Sequence, residues 1–235
     1  TLLASSAASD VYKRQVHGLF RDVFTGVDTR QKKAIPIGEL HMLLNKDPQS
    51  EKLRRTQAIA NLLFQFCGMP FSDLAHLEKS NLERGLLKYN RTKTGTPMSI
   101  EVLESAQNAI GGLYNKSDAR SSGYPDYLFR ILSGAYKRNE EGAYREYQSA
   151  LRRFNNELKS LSRKLRLHSP VTSYTLRHSW ATTAKYRGVP IEMISESLGH
   201  KSIKTTQIYL KGFELEERTK VNKLNYSYVC NFKML

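Results

Sequence analysis

Helical periodicity in the last third of the chain restricts the fold more than any other feature. Leu176, Trp180 and Ala184 recur every four residues, which is the spacing of one helix face. Gly188 ends this pattern, and a second apolar stripe opens with a proline two residues later and closes at Gly199. We therefore predict two consecutive helices, with Trp180 and Ala184 in the core.

The rest of the chain has similar helical character around one small sheet. Periodic apolar residues predict a short helix at 37–44, a core helix at 59–66, a short helical stretch at 74–77 and a long helix at 151–165. Leu86–Asn90 and Met98–Val102 are strand candidates that flank the turn Thr92–Gly95, so we predict a β-hairpin. The predicted fold is mainly α with a small antiparallel β-sheet.

The charge of the chain indicates a polyanionic partner. Lys and Arg total 37 against 22 acidic residues, which gives a net charge of +15. Charge alone does not identify the partner, but the absence of an RNA-type stacking motif favours DNA over RNA. A basic stripe on the long helix fits either a DNA-facing surface or a solvated helix face. Its members are Arg152, Arg153, Lys159, Arg163, Lys164 and Arg166.

Cysteine usage and hydropathy narrow the class of protein further. Cys67 and Cys230 lie far apart and form no CxxC motif, so neither a disulfide framework nor a zinc site is predicted. No stretch approaches the about 18 consecutive apolar residues of a membrane span, and no signal-peptide pattern is present. We expect a cytoplasmic protein without a metal, a cofactor or a membrane partner.

The same C-terminal third concentrates residues that carry chemistry. Tyr174 and Arg177 lie three residues apart on one predicted helix, with His178 beside them. A turn then brings His200, and Tyr209 follows nine residues later. Each of these alone has an ordinary structural explanation as a packed, capping or ion-paired residue. Their joint spacing instead favours one small site.

These residues belong to motifs that resemble a known family. The stretch TSYTLRHSWATTAKYRGVPIEMISESLGHKSIKTTQIYL resembles the C-terminal signature of tyrosine recombinases, or phage-type integrases. Two further segments, FCGMPFSDLAHLEKSNL and YNRTKTG, resemble earlier boxes of the integrases carried by bacterial conjugative and mobilizable elements. The resemblance therefore covers about residues 20–225 and several separate motifs.

The resemblance implies site-specific DNA strand exchange through a phosphotyrosyl bond, which conserves bond energy and needs neither ATP nor a metal. Tyr209 would be the nucleophile, and Arg177 would hold two phosphate oxygens. His200 would hydrogen-bond the phosphate or move the proton of the nucleophile. Lys93 would be the general acid toward the departing 5′-oxygen. The implied partners are duplex DNA, further copies of the chain in a tetramer on DNA, and accessory DNA-bending proteins.

Other residues near these motifs are assigned less directly. Arg91, His178, Thr205 and Thr206 flank the implied catalytic positions, and we predict that they contact DNA. Lys-Thr-Gly is also ordinary hairpin chemistry, so Arg91 and Lys88 remain alternatives to Lys93. Cys67 is predicted to be a small buried residue and not a nucleophile.

Two positions depart from the family pattern. Tyr174 stands where the family has the histidine of His-x-x-Arg, and its hydroxyl still offers a hydrogen bond. The resemblance also implies an arginine before Gly68 and Met69, where this sequence has Cys67. Losing one of two phosphate clamps costs on the order of a hundredfold in rate. Two functions therefore stay open: a recombinase, and a catalytically impaired recombinase-like protein that binds DNA.

The predicted organisation follows from the same motifs. Residues 1–15 are small, polar and aperiodic, and we interpret them as a non-native tail. Residues 16–34 are predicted to link a missing N-terminal core-binding domain, which clamps DNA, to a catalytic domain at 35–225. Residues 226–235 form a predicted C-terminal tail. The segment Leu224–Leu235 is apolar enough to dock on a neighbouring subunit or to pack on its own domain.

Overall fold

The computed structural model describes residues 34–114, 124–210 and 215–231. For residues 208, 209 and 215–217 it describes the backbone only. The chain divides into two units, 1–33 and 34–235, and the first lies outside the described residues. The predicted tail at 1–15 and nearly all of the predicted linker at 16–34 are therefore outside them as well.

The described residues form helices around one small sheet, which confirms the predicted fold class. Three helices precede the sheet, namely α1 (Ile37–Asn45), α2 (Glu51–Gln65) and α3 (Phe71–Ala75). A 3₁₀ turn at Lys79–Asn81 leads into the strands β1 (Leu82–Glu83), β2 (Leu86–Asn90) and β3 (Pro97–Glu101). The later helices are α4 (Glu104–Leu113), α5 (Glu141–Lys164), α6 (Ser173–Tyr186), α7 (Ile191–Ser197), α8 (Ile203–Tyr209) and α9 (Leu215–Cys230).

The sheet has the antiparallel order β1-β2-β3, and its second connection is the predicted hairpin. Arg91 and Thr96 close the turn, since the N–H of Arg91 donates to the carbonyl of Thr96 at 2.9 Å. Gly95 has a φ of +68° and donates its N–H to the carbonyl of Arg91 at 2.8 Å. A four-residue hairpin turn needs such a left-handed residue, which glycine adopts without strain. Strand β3 begins one residue before the predicted strand.

Helix α2 lies at the centre of the main hydrophobic core. It packs against α4, α5 and α6, and its residues Leu62 and Leu63 are fully buried. Helix α1 covers this core with Leu40 and Leu43. Ile37, predicted to share the apolar face of α1, is 70% exposed because it is the first residue of the helix and lies beyond the core.

A second, smaller cluster joins α6, α7 and α8. Its buried members are Ala181, Ile194, Leu198 and Leu210, and Trp180, Ala184 and Val189 pack against them. The predicted packing of Trp180 and Ala184 is therefore confirmed. Helix α6 begins with a capping box, in which the Thr172 hydroxyl accepts the N–H of Thr175 at 3.1 Å. The cap fixes the start of the helix that carries Arg177.

Helix α9 runs across the boundary predicted between residues 225 and 226. Every described side chain from residue 218 to 231 is exposed, including Leu224 and Tyr228. For these residues, packing on their own domain is not the arrangement observed. Within the described ranges, no helix is both long and apolar enough to span a bilayer.

Candidate active site

Arg177 on helix α6 joins three separate parts of the chain. Its side chain is buried, Nη1 donates to the carbonyl of Gly68 at 2.8 Å, and Nη2 donates to the carbonyl of Leu198 at 2.7 Å. Gly68 has a φ of +65°, and an added Cβ would lie 3.1 Å from the Cβ of Trp180. Only a glycine lets the turn after α2 approach α6 so closely. The guanidinium therefore links this turn, α6 and the end of α7.

His200 is held between Arg177 and Thr206. Its Nε2 lies 3.3 Å from Nη2 of Arg177, and its Nδ1 lies 2.8 Å from the hydroxyl of Thr206. A guanidinium only donates hydrogen bonds, so Nε2 accepts and Nδ1 carries the hydrogen, which it donates to Thr206. Thr206 was predicted to contact DNA. Because it is fully buried, its hydroxyl instead orients the imidazole.

The surroundings of His200 keep its imidazole neutral. Burial, which is the largest cause, and nearby positive charges together lower the pKa of His200 from 6.5 to about 4. These charges belong to Arg177, Arg91 and Lys93. Lys93 therefore lies close enough to act on His200 electrostatically, which brings the hairpin, α6 and the turn before α8 to one place.

The turn that carries Lys93 is docked on the residue before His200. The carbonyl of Gly199 accepts hydrogen bonds from Nη1 of Arg91 at 2.9 Å, from Thr94 Oγ1 at 3.2 Å and from Thr96 Oγ1 at 3.4 Å. Three donors on one carbonyl fix the turn in orientation as well as in position.

Gly199 is required for this contact. It has a φ of +63°, and an added Cβ would lie 2.8 Å from Sδ of Met98 and 2.9 Å from Cδ of Arg91. Any other residue would strain the backbone and push the hairpin away. The glycine of the Leu-Gly-His motif thus serves both the end of α7 and the docking of the hairpin.

Arg91 is a buried part of the candidate site. Its side chain is buried, and its Nε lies 3.8 Å from Oδ2 of the buried Asp73. The guanidinium of Arg91 therefore has its partners within the protein, and its contact with DNA stays a prediction. Thr205 is exposed and His178 is half-buried beside Arg177, and their DNA contacts stay predictions.

Tyr174 does not share the environment of Arg177. It is 42% exposed in the first turn of α6, whereas Arg177 is 6% exposed. Residues three apart on a helix are offset by about 60° around the axis, enough to separate a buried position from a surface position. A catalytic role of Tyr174 stays a prediction.

Tyr209 is the last residue of α8, and the structure describes its backbone but not its side chain. Immediately after it, Leu210 donates its N–H to the carbonyl of Thr206 at 2.7 Å and is buried. The main chain around Tyr209 thus follows directly from the residue that orients His200. The position of the Tyr209 hydroxyl lies outside the described residues, and its role as nucleophile stays a prediction.

The turn after α2 lacks a cationic side chain. Between Arg55 and Lys79 the sequence contains neither arginine nor lysine. Cys67 is half-buried with a φ of +55°, and burial raises the pKa of its thiol. A thiol in this state is a packed, protonated group and not a nucleophile.

Sequence reasoning did not find the residues that dock the hairpin. Asp73 and Thr94 lie inside the quoted motif segments but were assigned no role, and Thr96 lies just outside them. Gly199 contributes through its carbonyl, which no residue pattern reveals. The weak signal available was that Asp73 is the sole acidic residue between Glu51 and Glu78. Within the described ranges, no group of three metal-ligating side chains comes together.

Comparisons with known proteins identify the family of the chain. The sequence profile described as "Phage integrase family" matches residues 37–215. The chain belongs to the phage integrase family. It is 28% identical over 84% of its length to a probable integrase/recombinase of Methanocaldococcus jannaschii, of which it covers 58%. It is 30% identical over 77% of its length to the tyrosine recombinase XerD of Halalkalibacterium halodurans, of which it covers 57%. The chain therefore spans less than two thirds of these family members.

Solved structures show the same fold. The chain superposes on the crystal structure of XerA recombinase with a TM-score of 0.57 and 22% identity, over 90% of this chain and 68% of XerA. It superposes on the Tn1549 transposon integrase in complex with a circular intermediate DNA with a TM-score of 0.54 and 16% identity. That match covers 86% of this chain and 68% of the integrase. The phage integrase fold is therefore shared at low sequence identity.

Proposed function

We propose that this phage integrase family member exchanges DNA strands at specific sites and so integrates or excises a mobile element. The observation that supports this most is the hydrogen-bonded series Arg177–His200–Thr206 beside the docked Lys93 turn. A DNA-binding surface alone does not require a neutral histidine held between an arginine and a threonine. The family membership and the named DNA complex of the Tn1549 integrase support the same proposal.

The proposed reaction keeps the number of phosphoester bonds constant. The hydroxyl of Tyr209 attacks the scissile phosphorus, the bond to the 5′-oxygen breaks, and a 3′-phosphotyrosyl bond forms. Lys93 gives a proton to the departing 5′-oxygen, and Arg177 stabilises the charge that develops on the phosphate. A 5′-hydroxyl from the partner strand then attacks the phosphotyrosyl bond and releases Tyr209. The energy of the first bond is conserved in the second.

His200 fits two roles in this reaction, and they need opposite states of Nε2. To donate a hydrogen bond to the phosphate, Nε2 must carry a proton, whereas to take the proton of the Tyr209 hydroxyl it must be unprotonated. Without DNA its pKa is about 4, so Nε2 is unprotonated near neutral pH. A bound phosphate places a negative charge among Arg177, Arg91 and Lys93, and this charge favours the protonated imidazole.

The proposed partners follow from strand exchange. Two duplexes require four strand cleavages, so four copies of the chain act together on duplex DNA, in the bacterial cytoplasm. We also propose accessory DNA-bending proteins and an upstream core-binding domain that clamps the duplex, joined through residues 16–34.

A covalent adduct tests the function directly. The protein is incubated with a nicked duplex whose cleaved strand loses a short fragment, so that cleavage cannot reverse. We expect a protein–DNA adduct on a denaturing gel, and we expect Tyr209→Phe to abolish it. Tyr186→Phe, at an exposed tyrosine of α6, is the matched control and should leave the adduct unchanged.

A second function, DNA binding without cleavage, is favoured by the absence of a cationic side chain between Arg55 and Lys79. Cys67→Arg and Pro70→Arg each restore an arginine in this turn. Pro70 is included because its φ of −64° suits any residue, whereas Cys67 has a positive φ. An adduct formed only by such a variant indicates an impaired recombinase. Tight DNA binding without an adduct in any variant indicates a non-catalytic binding protein.

A further inference from the structure

Two buried charges of opposite sign lie between the turn after α2 and the hairpin. The side chain of Asp73 is 1% exposed and that of Arg91 is 8% exposed, with Oδ2 and Nε 3.8 Å apart. Among the described residues, neither of these two atoms has a hydrogen-bond partner. We infer that Asp73 and Arg91 form a buried positioning pair that aims the Lys93 turn at the scissile phosphate. This inference rests on the proposed strand cleavage.

The pair makes one hydrogen bond to the main chain beside Lys93 and another to the main chain beside His200. Oδ1 of Asp73 accepts a hydrogen bond from the backbone N–H of Thr92, the residue before Lys93, at 3.2 Å. Nη1 of Arg91 donates to the carbonyl of Gly199, the residue before His200, at 2.9 Å. The pair therefore connects the main chain beside the proposed general acid to the main chain beside the histidine.

Stability alone is a poor explanation for this pair. Burying two charges removes their hydration, and a contact 3.8 Å long without a shared hydrogen bond recovers that cost incompletely. Two apolar side chains of similar volume would hold α3 against the hairpin at least as well. What the charged pair adds is direction, because Asp73 selects one orientation of the turn through the N–H of Thr92.

The electrostatic surroundings agree with a role inside the site. Arg91 and Lys93 both lower the pKa of His200, and Asp73 and Arg91 both act on the half-buried Tyr89 of β2. Burial is the largest cause of the raised pKa of Tyr89, so its hydroxyl stays protonated beside the pair. Arg91 is thus within electrostatic range of His200, and both members of the pair are within electrostatic range of Tyr89.

The test compares two substrates that differ in one atom. In the first, the scissile phosphate carries its natural 5′-oxygen, which needs a proton to leave. In the second, sulfur replaces this bridging oxygen and leaves as a thiolate without a general acid. The variants are Arg91→Met and Asp73→Asn, with Lys93→Ala as the reference for a missing general acid.

If the pair aims Lys93, both variants cleave the oxygen substrate about ten- to a hundredfold more slowly and cleave the sulfur substrate at nearly the normal rate. The double variant should be no slower than either single variant, because both remove one interaction. Arg91→Lys, which keeps the charge, should recover part of the rate. Glu101→Gln, at an exposed residue of strand β3, should change the cleavage rate of neither substrate.

A second readout does not depend on cleavage. Hydrogen exchange at the N–H of Thr92 should become faster in Arg91→Met and stay unchanged in Glu101→Gln. Equal loss on both substrates by folded variants, with unchanged exchange at Thr92, would overturn the positioning role. If the unmodified protein cleaves neither substrate, the proposed function fails, and the inference that rests on it fails with it.

Discussion

The arginines of the candidate site and those of helix α5 are the same residue type in opposite environments. Arg91 and Arg177 are buried and donate hydrogen bonds to backbone carbonyls more than 20 residues away in sequence. The residues of the basic stripe on α5 and just after it are all exposed, namely Arg152, Arg153, Lys159, Arg163, Lys164 and Arg166. Each of these residues contributes one positive charge to the net charge of +15, whatever its environment.

The two environments imply two different roles for a basic side chain. A buried guanidinium with named partners has one orientation, and moving it leaves carbonyls without a donor. An exposed side chain adopts many orientations and acts mainly through its charge, which salt screens. Substitutions should therefore have large effects in the site and small effects on α5, in a predictable order.

The largest effect is expected at Arg177. Arg177→Lys keeps the charge but loses the fork that reaches both Gly68 and Leu198, so the ammonium cannot occupy the same place. We expect adduct formation to slow by about a hundredfold or more. Arg153→Lys on α5 is the control and should react at the normal rate. Similar losses in both variants would remove the distinction between the two sets.

A smaller effect on stability is expected at Gly199. Gly199→Ala combines a left-handed backbone with a Cβ that meets Met98 and Arg91, and should lower the free energy of unfolding by about 2–3 kcal/mol. Gly188→Ala is the matched control, since Gly188 has a φ of +77° but an added Cβ meets nothing within 4 Å. It should lose only about 1 kcal/mol. Urea unfolding measures the free energy of unfolding of both variants. Equal decreases would show that the hairpin moves to accommodate the added Cβ at little cost.

The acid sensitivity of the site should come next. The folded pKa of His200 is about 4 and its unfolded value is 6.5, so the unfolded chain binds more protons between these values. The stabilisation is complete above pH 6.5 and is lost as the pH falls toward 4. We expect His200→Gln to flatten this fall by about 1–2 kcal/mol, after discount for partial exposure. Urea unfolding at several pH values between 4 and 7 measures this fall, and an equally steep fall in His200→Gln would contradict the assignment to His200.

The smallest effect on stability is expected on α5. Replacing Arg153 and Lys164 by glutamine should change the free energy of unfolding by less than about 0.5 kcal/mol, because both side chains are exposed. The salt dependence of DNA affinity then separates the two interpretations of the stripe. A DNA-facing stripe loses about 0.9 in slope for each phosphate contact removed, and a solvated face loses nothing. A large loss of stability on replacing Arg153 and Lys164 would contradict the difference drawn between exposed and buried basic residues.

Local signals in the sequence were sufficient for the elements and for part of the site. The period of Leu176, Trp180 and Ala184 gave α6, and the turn Thr92–Gly95 gave the hairpin. Motif spacing brought Arg177, His200 and Lys93 together, and the structure places them within electrostatic reach of one another. These signals are readable because helix and hairpin geometry depends on neighbours within a few residues.

The roles of Arg91 and Thr206 could not be obtained in this way. Both carry polar side chains that usually lie at the surface, and both are buried here. Arg91 bonds a carbonyl 108 residues later, and Thr206 bonds a histidine whose ring is oriented by Arg177 on another helix. Burial of a polar side chain depends on which partners the fold brings to it.

Residue order alone therefore determined the family motifs, the helices and the candidate catalytic set, because each depends on short-range spacing. Packing decided which arginines became parts of the site and which stayed on the surface. It also decided that Asp73 faces Arg91 and that one glycine carbonyl accepts three donors from the hairpin. Such contacts join distant segments, and their energy depends on the removal of water that only the folded core achieves.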